Sequence, residues 1–268
     1  MSATITPLPA RFGARIEGLD LDQPSPELGA ELTTLLAEHQ LLFFDGSAID
    51  DEGQAALLTL LGEPYIHPLA RMAGATTATA SHIVDDADHP PYQDQWHTDV
   101  SWDPEPPVIG SLRCIEMPER GGNTIWADTC AAYDRVSAPM QAWIETLTAT
   151  HDMGRGHAFE DKAGVELTAK TREAFPGVSS PVVATHPVSG RKYLNVNAGF
   201  TRSIDGLRPE ESAMVLRQLF AIVADPSLQY RHQWTEGELC LWDERTTQHN
   251  AVADHYPARR EMARFTIR

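Results

Sequence analysis

Residues 228–267 read LQYRHQWTEGELCLWDERTTQHNAVADHYPARREMARFTI. Short runs of apolar or alternating residues at 228–233, 238–242, 246–252 and 261–267 are separated by segments rich in Gly, Asp, Glu and Pro. Runs of this length, bounded by turn-forming residues, are typical of β-strands. The stretch therefore predicts four successive strands near the C-terminus.

The same kind of run recurs upstream. Further strands are predicted at 81–85, 96–102, 108–116, 123–127, 182–187 and 191–197. Ser189-Gly190 lies between the last two runs and is typical of a hairpin turn. Two helices, at 131–147 and 209–224, interrupt the strands. Many short strands with long excursions predict a mainly β fold with flanking helices, in the form of a double-stranded β-helix or jelly roll.

The first third of the chain mixes both element types. A strand is predicted at 15–19, a helix at 26–40, a buried strand at 41–44 and a second helix from Asp50 or Asp51 to Leu61. No repeat or linker divides the chain, so residues 1–268 are predicted to form a single domain. The segment 154–180 has no clear strand pattern, and we expect it to be an active-site lid.

Composition excludes several classes of protein. The net charge of −17 argues against binding to nucleic acid or to an anionic membrane. No window approaches the roughly 18 uninterrupted apolar residues of a membrane span, and the N-terminus lacks the apolar core of a signal peptide. Three widely spaced cysteines indicate reduced thiols. These features together predict a cytoplasmic protein.

Two histidines and a carboxylate are the residues most directly linked to chemistry. His97 and Asp99 are two positions apart in the segment WHTD, and His249 lies far downstream. On a strand, positions 97 and 99 would face the same side about 7 Å apart. Two histidines and one carboxylate form the facial set that holds iron(II) and leaves positions open for oxygen chemistry. We therefore interpret these three residues as an iron site.

The remaining histidines are expected to have other roles, because the chain contains 11 of them. Those predicted to be solvated surface residues are His39, His89, His232 and His255, and those predicted to be hydrogen-bonded loop or strand residues are His151, His157 and His186. The arginines that follow His249, at positions 259, 260 and 264, are predicted to form a local anion site because the chain is acidic overall.

Seven segments carry a resemblance to a known family. They are GARIEGLDL at 13–21, IHP at 66–68, WHTDVS at 96–101, GGNTIWAD at 121–128, THPVSG at 185–190, WDERTTQH at 242–249 and RREMAR at 259–264. In this order they resemble the taurine dioxygenase/TfdA-like family of Fe(II)/2-oxoglutarate-dependent dioxygenases, almost from end to end. So many ordered motifs are far more specific than the His-x-Asp pair alone.

The resemblance implies roles for individual residues. His97, Asp99 and His249 match the Fe(II) ligands of the family, and 2-oxoglutarate and O2 are the implied cosubstrates. Thr124 and Arg260 match the residues that contact the distal carboxylate of 2-oxoglutarate. A planar guanidinium suits that role because it can bind a carboxylate through two parallel hydrogen bonds. Arg259 is then expected to face outward.

The residues that match the family's substrate contacts are His67, Gln93, Phe200 and Arg264. Ala70 stands where taurine dioxygenase has a sulfonate-binding tyrosine, and Gln93 replaces an asparagine. The resemblance therefore implies a small organic anion as substrate, which could be a sulfonate, an alkyl sulfate or an aryloxy or other carboxylic acid. Taurine itself is expected to be a poor substrate.

Two alternatives and the assembly state remain open from the sequence. A zinc-dependent hydrolase could also use two histidines and a carboxylate, but it would leave Thr124 and Arg260 unexplained. A noncatalytic jelly-roll binding protein would be expected to have lost at least one of the matched residues. A homo-oligomer, either a dimer or a tetramer, also stays open.

Overall fold

The computed structural model of the protein describes residues 3–91, 95–153 and 165–268, with the side chains of 165–168 left out. Its strands are β1 Thr4–Pro7, β2 Ala14–Glu17, β3 Leu41–Asp45, β4 Ser81–Asp85, β5 Ile109–Glu116, β6 Thr124–Asp128, β7 Thr148–His151, β8 Val178–Pro181, β9 Val183–Thr185, β10 Lys192–Leu194, β11 Thr201–Ile204, β12 Gln229–His232, β13 Glu238–Asp243, β14 Thr247–Ala251 and β15 Arg260–Ile267.

The helices lie between and around these strands. They are α1 Pro26–His39, α2 Asp51–Thr59, α3 Pro68–Met72, α4 Thr129–Asp134, α5 Ala138–Ile144, α6 Val165–Ala174 and α7 Pro209–Val223, with a 3-10 turn at Pro226–Leu228. The prediction of a mainly β fold with flanking helices is confirmed. Within the described ranges, none of the helices combines the length and apolar character needed to cross a bilayer.

Two sheets position the candidate site. The larger has the strand order β1-β2-β3-β13-β5-β15-β4, and the smaller has the order β12-β6-β14. An apolar cluster that includes Phe43 of β3, Trp242 of β13 and Trp126 of β6 joins the two sheets. Because Trp126 and Trp242 are fully buried, these sheets form two packed layers around one interior.

The opposite face of the larger sheet is covered by helices. Leu42 and Phe44 of β3 pack in a cluster with leucines of α1 and α2, whereas Leu41 and Phe43 point to the interior cluster. A strand buried on both faces is expected to be apolar at every position rather than alternating. This explains the continuous run 41–44, which the sequence correctly identified as a buried strand.

Local signals explain where the first helices begin. The Ser25 hydroxyl accepts a hydrogen bond from the backbone N–H of Leu28, and the Asp50 carboxylate accepts one from Gly53. Both are side-chain caps of helix N-termini, which satisfy otherwise unpaired backbone donors. The predictions of these two helices are confirmed to within two residues.

Three predicted elements differ from the structure. No strand covers 96–102, where only His97 forms an isolated bridge, to His249. The predicted helix 131–147 is two short helices, α4 and α5, because a new helix starts at Ala138 after Ser137, with Pro139 in its first turn, and strand β7 follows. In the segment 154–180, the described part contains α6 and β8, and residues 154–164 lie outside the described residues.

Candidate active site

Backbone pairing brings the two histidines together. The N–H of His97 donates to the carbonyl of His249 at 3.1 Å, and the N–H of His249 donates back to His97 at 2.9 Å. Their rings lie 4.2 Å apart between centroids. Although His97 and His249 are far apart in sequence, this pairing places them side by side, two residues before Asp99.

A turn, not a strand, places the carboxylate. Val100 has a positive φ of 49°, and Asp103 N–H donates to its carbonyl at 2.8 Å. This turn swings Asp99 back, so that its Oδ1 lies 3.6 Å from His97 Nε2 and 3.8 Å from His249 Nε2. The expectation that His97 and Asp99 lie on the same side is right, but its reason, the alternation of a strand, is wrong.

The three residues fit a facial metal site. One donor atom from each lies within 4.8 Å of the others, and all three residues are buried. Donors at right angles on a metal with bonds of about 2.1 Å are about 3 Å apart, close to the spacing here. His97 Nδ1 lies 2.7 Å from the Gln95 carbonyl. A hydrogen bond there fixes the proton on Nδ1 and leaves Nε2 free to bind a metal.

The charges of these residues also suit a cation. Burial lowers the pKa of His249 to about 3, and His97 adds to that effect. The imidazole is therefore neutral and keeps a lone pair for a metal. Burial raises the pKa of Asp99, but Arg264 and the two histidines outweigh it and hold the pKa well below its ordinary value. The Asp99 carboxylate is therefore ionised.

The Gly122 backbone, two residues before Thr124, supports the Arg260 side chain. The Arg260 Nε donates to the Gly122 carbonyl at 3.0 Å, and the Thr124 hydroxyl accepts from Trp234 Nε1 at 3.0 Å. Gly122 has a φ of 69°, and a Cβ there would lie 3.1 Å from Arg260 Cδ. The glycine thus allows the backbone to support the arginine side chain at close range.

Arg264 reaches Asp99 from the same strand as Arg260. Its NH1 lies 3.3 Å from Asp99 Oδ2. Burial and, to a smaller extent, the nearby Arg264 lower the pKa of His67 to about 4. His67 Nδ1 accepts from the Leu69 N–H at 3.2 Å. The structure therefore brings the predicted substrate residues Arg264 and His67 to the region of Asp99, with His67 neutral.

An apolar wall adjoins this region. It consists of the buried residues Tyr65, Val100, Trp102 and Met153, against which Phe175 and Phe200 pack. The Phe200 ring lies 6.0 Å from the His97 ring, and the Phe175 ring lies 5.3 Å from that of Trp102. Phe200 was predicted from the sequence, whereas Tyr65, Trp102 and Phe175 were not. Gln93 lies outside the described residues.

Two of the histidines predicted to be solvated are in fact buried. His232 Nε2 lies 2.8 Å from Glu238 Oε2, and His255 is only 6% exposed. His89 is exposed as predicted, and Arg259 lies at the surface near Glu116. The buried positions were missed because their polar neighbours in sequence resemble those of a surface loop, whereas burial is decided by strands far along the chain.

Comparison with known proteins decides the family. The sequence profile of the taurine catabolism dioxygenase TauD, TfdA family matches residues 4–266. The chain belongs to this family. It is 31% identical over 276 residues to the alpha-ketoglutarate-dependent sulfate ester dioxygenase of Pseudomonas putida, covering 98% of this chain and 88% of that protein. It is 32% identical over 271 residues to an alkylsulfatase of Acinetobacter baylyi, covering 97% and 83%.

Solved structures agree with this membership. A taurine dioxygenase from Burkholderia xenovorans matches with a TM-score of 0.81 at 27% identity, covering 100% of this chain and 91% of that chain. This TauD/TfdA family member is a 2-oxoglutarate-dependent dioxygenase and hence an oxidoreductase. Neither the zinc hydrolase nor the noncatalytic alternative is supported by these relatives.

Glu244 is a residue of this dioxygenase that the sequence did not single out. It is fully buried, and its carboxyl accepts from the Asp99 N–H at 3.0 Å and from Trp242 Nε1 at 2.8 Å. Burial and the nearby Asp99 raise the pKa of Glu244 well above its usual value. A buried carboxyl group therefore anchors the turn that carries Asp99. Glu244 follows Trp242-Asp243 in a matched motif, which was the available signal.

We expect Glu244→Leu to lower the affinity for a divalent metal by about 10- to 100-fold, because it removes the acceptor that holds the Asp99 backbone. Glu244→Gln, which keeps one acceptor oxygen, should lie between this variant and the parent. Titration with Mn(II) measures both affinities, and Glu105→Gln, a change at an exposed carboxylate, is the control. Unchanged metal binding in Glu244→Leu would remove Glu244 from this role.

Proposed function

We propose that this dioxygenase binds Fe(II) through His97, Asp99 and His249 and uses O2 and 2-oxoglutarate to hydroxylate a small organic anion. The observation that carries the proposal is the group of three buried donor atoms within 4.8 Å of one another. When bound, iron and 2-oxoglutarate supply the oxidation: one oxygen atom of O2 enters a substrate C–H bond, and the other enters succinate as CO2 is released.

The side chains of the protein bind and orient the reactants. Arg260 and Thr124 are proposed to hold the distal carboxylate of 2-oxoglutarate, since Arg260 is a buried cation and both lie beside Gly122. Arg264 and His67 are proposed to hold the charged group of the substrate. Burial of the carboxylate and guanidinium groups away from water strengthens their attraction.

The substrate proposed is an organic anion with an apolar body, in the first place an alkyl sulfate or a larger sulfonate. Support comes from the apolar wall beside His97, which offers Phe200 and Trp102 to a hydrocarbon group. Ala70 leaves room where taurine dioxygenase has a tyrosine. Hydroxylation of the carbon that bears a sulfate oxygen gives an unstable product, which fragments to an aldehyde and free sulfate.

Further parts of the proposal concern the whole chain. We infer a single domain over residues 1–268 with the double-stranded β-helix arrangement, for which the two packed sheets around one interior are the support. We infer that segment 154–180 is a lid, because Phe175 packs against Trp102.

A cytoplasmic location is consistent with three free, buried cysteines. The net charge of −17 favours small-molecule substrates over nucleic acid, and a homo-oligomer stays open.

A panel of substrates tests this function. We expect succinate formation to be stimulated by medium-chain alkyl sulfates, larger sulfonates or aryloxy acids more than by taurine, because the wall is apolar and Ala70 lacks a hydroxyl. Arg264→Ala should lower kcat/KM for the best anion by about 10- to 100-fold, the value of a charge-assisted hydrogen bond. Preference for taurine or for a neutral substrate, or indifference to Arg264→Ala, would contradict the proposed pocket.

A further inference from the structure

Arg260 is a buried cation that faces one carboxylate. It lies directly opposite Asp85 in the pairing of β15 with β4, and its NH1 is 3.6 Å from Asp85 Oδ2. Burial lowers the pKa of Arg260, and Asp85 opposes that effect. Asp85 therefore supplies the negative charge that stabilises the guanidinium when no other anion is present.

The same carboxylate oxygen also faces a buried imidazole. His255 Nε2 lies 3.5 Å from Asp85 Oδ2. His255 is only 6% exposed, and neither of its ring nitrogens has a hydrogen-bond partner among the residues that the structure describes. Asp85 Oδ2 is thus almost equally far from the imidazole and from the guanidinium, so its charge is shared between them.

Among the described residues, Asp254 and Cys114 are two further polar groups of this region, and neither can replace Asp85. Asp254 accepts from the Gly122 N–H at 2.9 Å and pairs with Arg231 at 3.0 Å. Burial raises the pKa of the Cys114 thiol, which lies near Arg260, to about 12, so that thiol is neutral. Asp85 is consequently the carboxylate that competes with any second carboxylate approaching Arg260.

We propose that His255 and Asp85 are positioning residues of the cosubstrate site. His255 attracts the Asp85 carboxylate, so that the Arg260 guanidinium stays available to bind the distal carboxylate of 2-oxoglutarate. This inference rests on the proposed role of Arg260. It assigns His255 a function that the matched motifs do not contain, and it explains a buried imidazole at a position where the sequence predicts a solvated one.

The proposal requires opposite effects from the two residues. In His255→Phe, an aromatic ring of similar size fills the space but cannot attract Asp85, so Asp85 pairs with Arg260 and competes with the cosubstrate. In Asp85→Asn the competing charge is gone, and the cosubstrate becomes the counterion of Arg260. Because His255 acts through Asp85, its substitution should have no effect in the Asp85→Asn background.

A comparison of two keto acids distinguishes an effect on binding of the distal carboxylate from a loss of folding or of metal binding. 2-Oxoglutarate carries the distal carboxylate, whereas 2-oxopentanoate has the same keto acid end and chain length but lacks it. Both are titrated calorimetrically into the full-length protein loaded with Mn(II), and the ratio of their Kd values measures the contribution of the distal carboxylate alone. A change in folding or in metal binding would move both Kd values together and leave the ratio unchanged.

We expect the preference for 2-oxoglutarate to fall by about fivefold in His255→Phe and to rise by about fivefold in Asp85→Asn, the range of coupling between adjacent groups. The double variant should match Asp85→Asn. His255→Gln keeps a hydrogen-bond donor, so it should retain most of the preference that His255→Phe loses. This comparison remains informative even if the Asp85→Asn variant does not fold. His89→Phe, a change at an exposed histidine, is the control.

Several outcomes would overturn the inference. They are an unchanged ratio in His255→Phe, an equal loss for both keto acids, an effect of His255→Phe that persists in the Asp85→Asn background, and no rescue by His255→Gln. If the parent protein itself shows no preference for 2-oxoglutarate over 2-oxopentanoate, the proposed role of Arg260 fails instead. The two failures are therefore distinguishable.

Discussion

Replacing His97, Asp99 or His249 with alanine is expected to reduce succinate formation below detection while the protein stays folded. Each substitution removes one of three donors, and the remaining two cannot hold the metal in the facial arrangement that leaves positions open for reaction. The fold should persist because the large apolar clusters lie between the sheets and under the helices, away from these three side chains. This is the largest effect that we predict.

The iron content after dialysis measures the loss of metal binding, and circular dichroism measures whether each variant stays folded. Iron should fall well below one equivalent in each variant, with the spectrum and the Tm close to those of the parent. His89→Ala, at an exposed histidine that is 68% accessible in its side chain, should keep full iron and activity. If one of the three variants kept both its iron and its activity, the substituted residue would not be a metal ligand.

Helices and strands were predictable wherever a short-range pattern determines them. The leucine spacing of α1, its capping serine and the doubly buried strand β3 are properties of adjacent residues. The segment 96–102 was mispredicted for the opposite reason. Its aromatic and β-branched residues favour a strand, but the chain turns at Val100 with a positive φ. That turn depends on contacts with Glu244, which lies far away in sequence.

The candidate site divides in the same way. Donor types and their spacing along the chain were enough to suggest the three proposed ligands, and the resemblance to the family added Thr124 and Arg260. The residues that support these side chains were missed: Glu244 lies in a matched motif but its partner Asp99 is distant in sequence, and nothing in the local sequence marks His255. Glu244 supports Asp99 through one backbone contact, and the buried His255 faces Asp85, which lies on strand β4 far away in the chain. Such residues become visible only when the strands are assembled.

Arg260→Ala is expected to weaken 2-oxoglutarate binding by about 30- to 1,000-fold or more, because a desolvated carboxylate loses its charged partner at a cost of roughly 2–5 kcal/mol. Arg260→Lys should recover part of this affinity, since a lysine keeps the charge but not the two-pronged geometry. Thr124→Val should weaken binding only about fivefold, because one neutral hydrogen bond contributes about 1 kcal/mol. The same calorimetric titration of the Mn(II)-loaded protein measures all three Kd values.

The neighbouring arginine provides the matched control. Arg259 is exposed at the surface and pairs with Glu116 and Asp86, so Arg259→Ala should leave the Kd for 2-oxoglutarate within about twofold, as is usual for surface ion pairs. Arg260→Ala should leave the Kd for 2-oxopentanoate almost unchanged, since that acid has no distal carboxylate to lose a partner. Normal binding of 2-oxoglutarate by Arg260→Ala, or equal weakening of both keto acids, would show that Arg260 does not hold the distal carboxylate. The cosubstrate would then have to be anchored by another cation near the site, for which Arg264 is the candidate on the same strand.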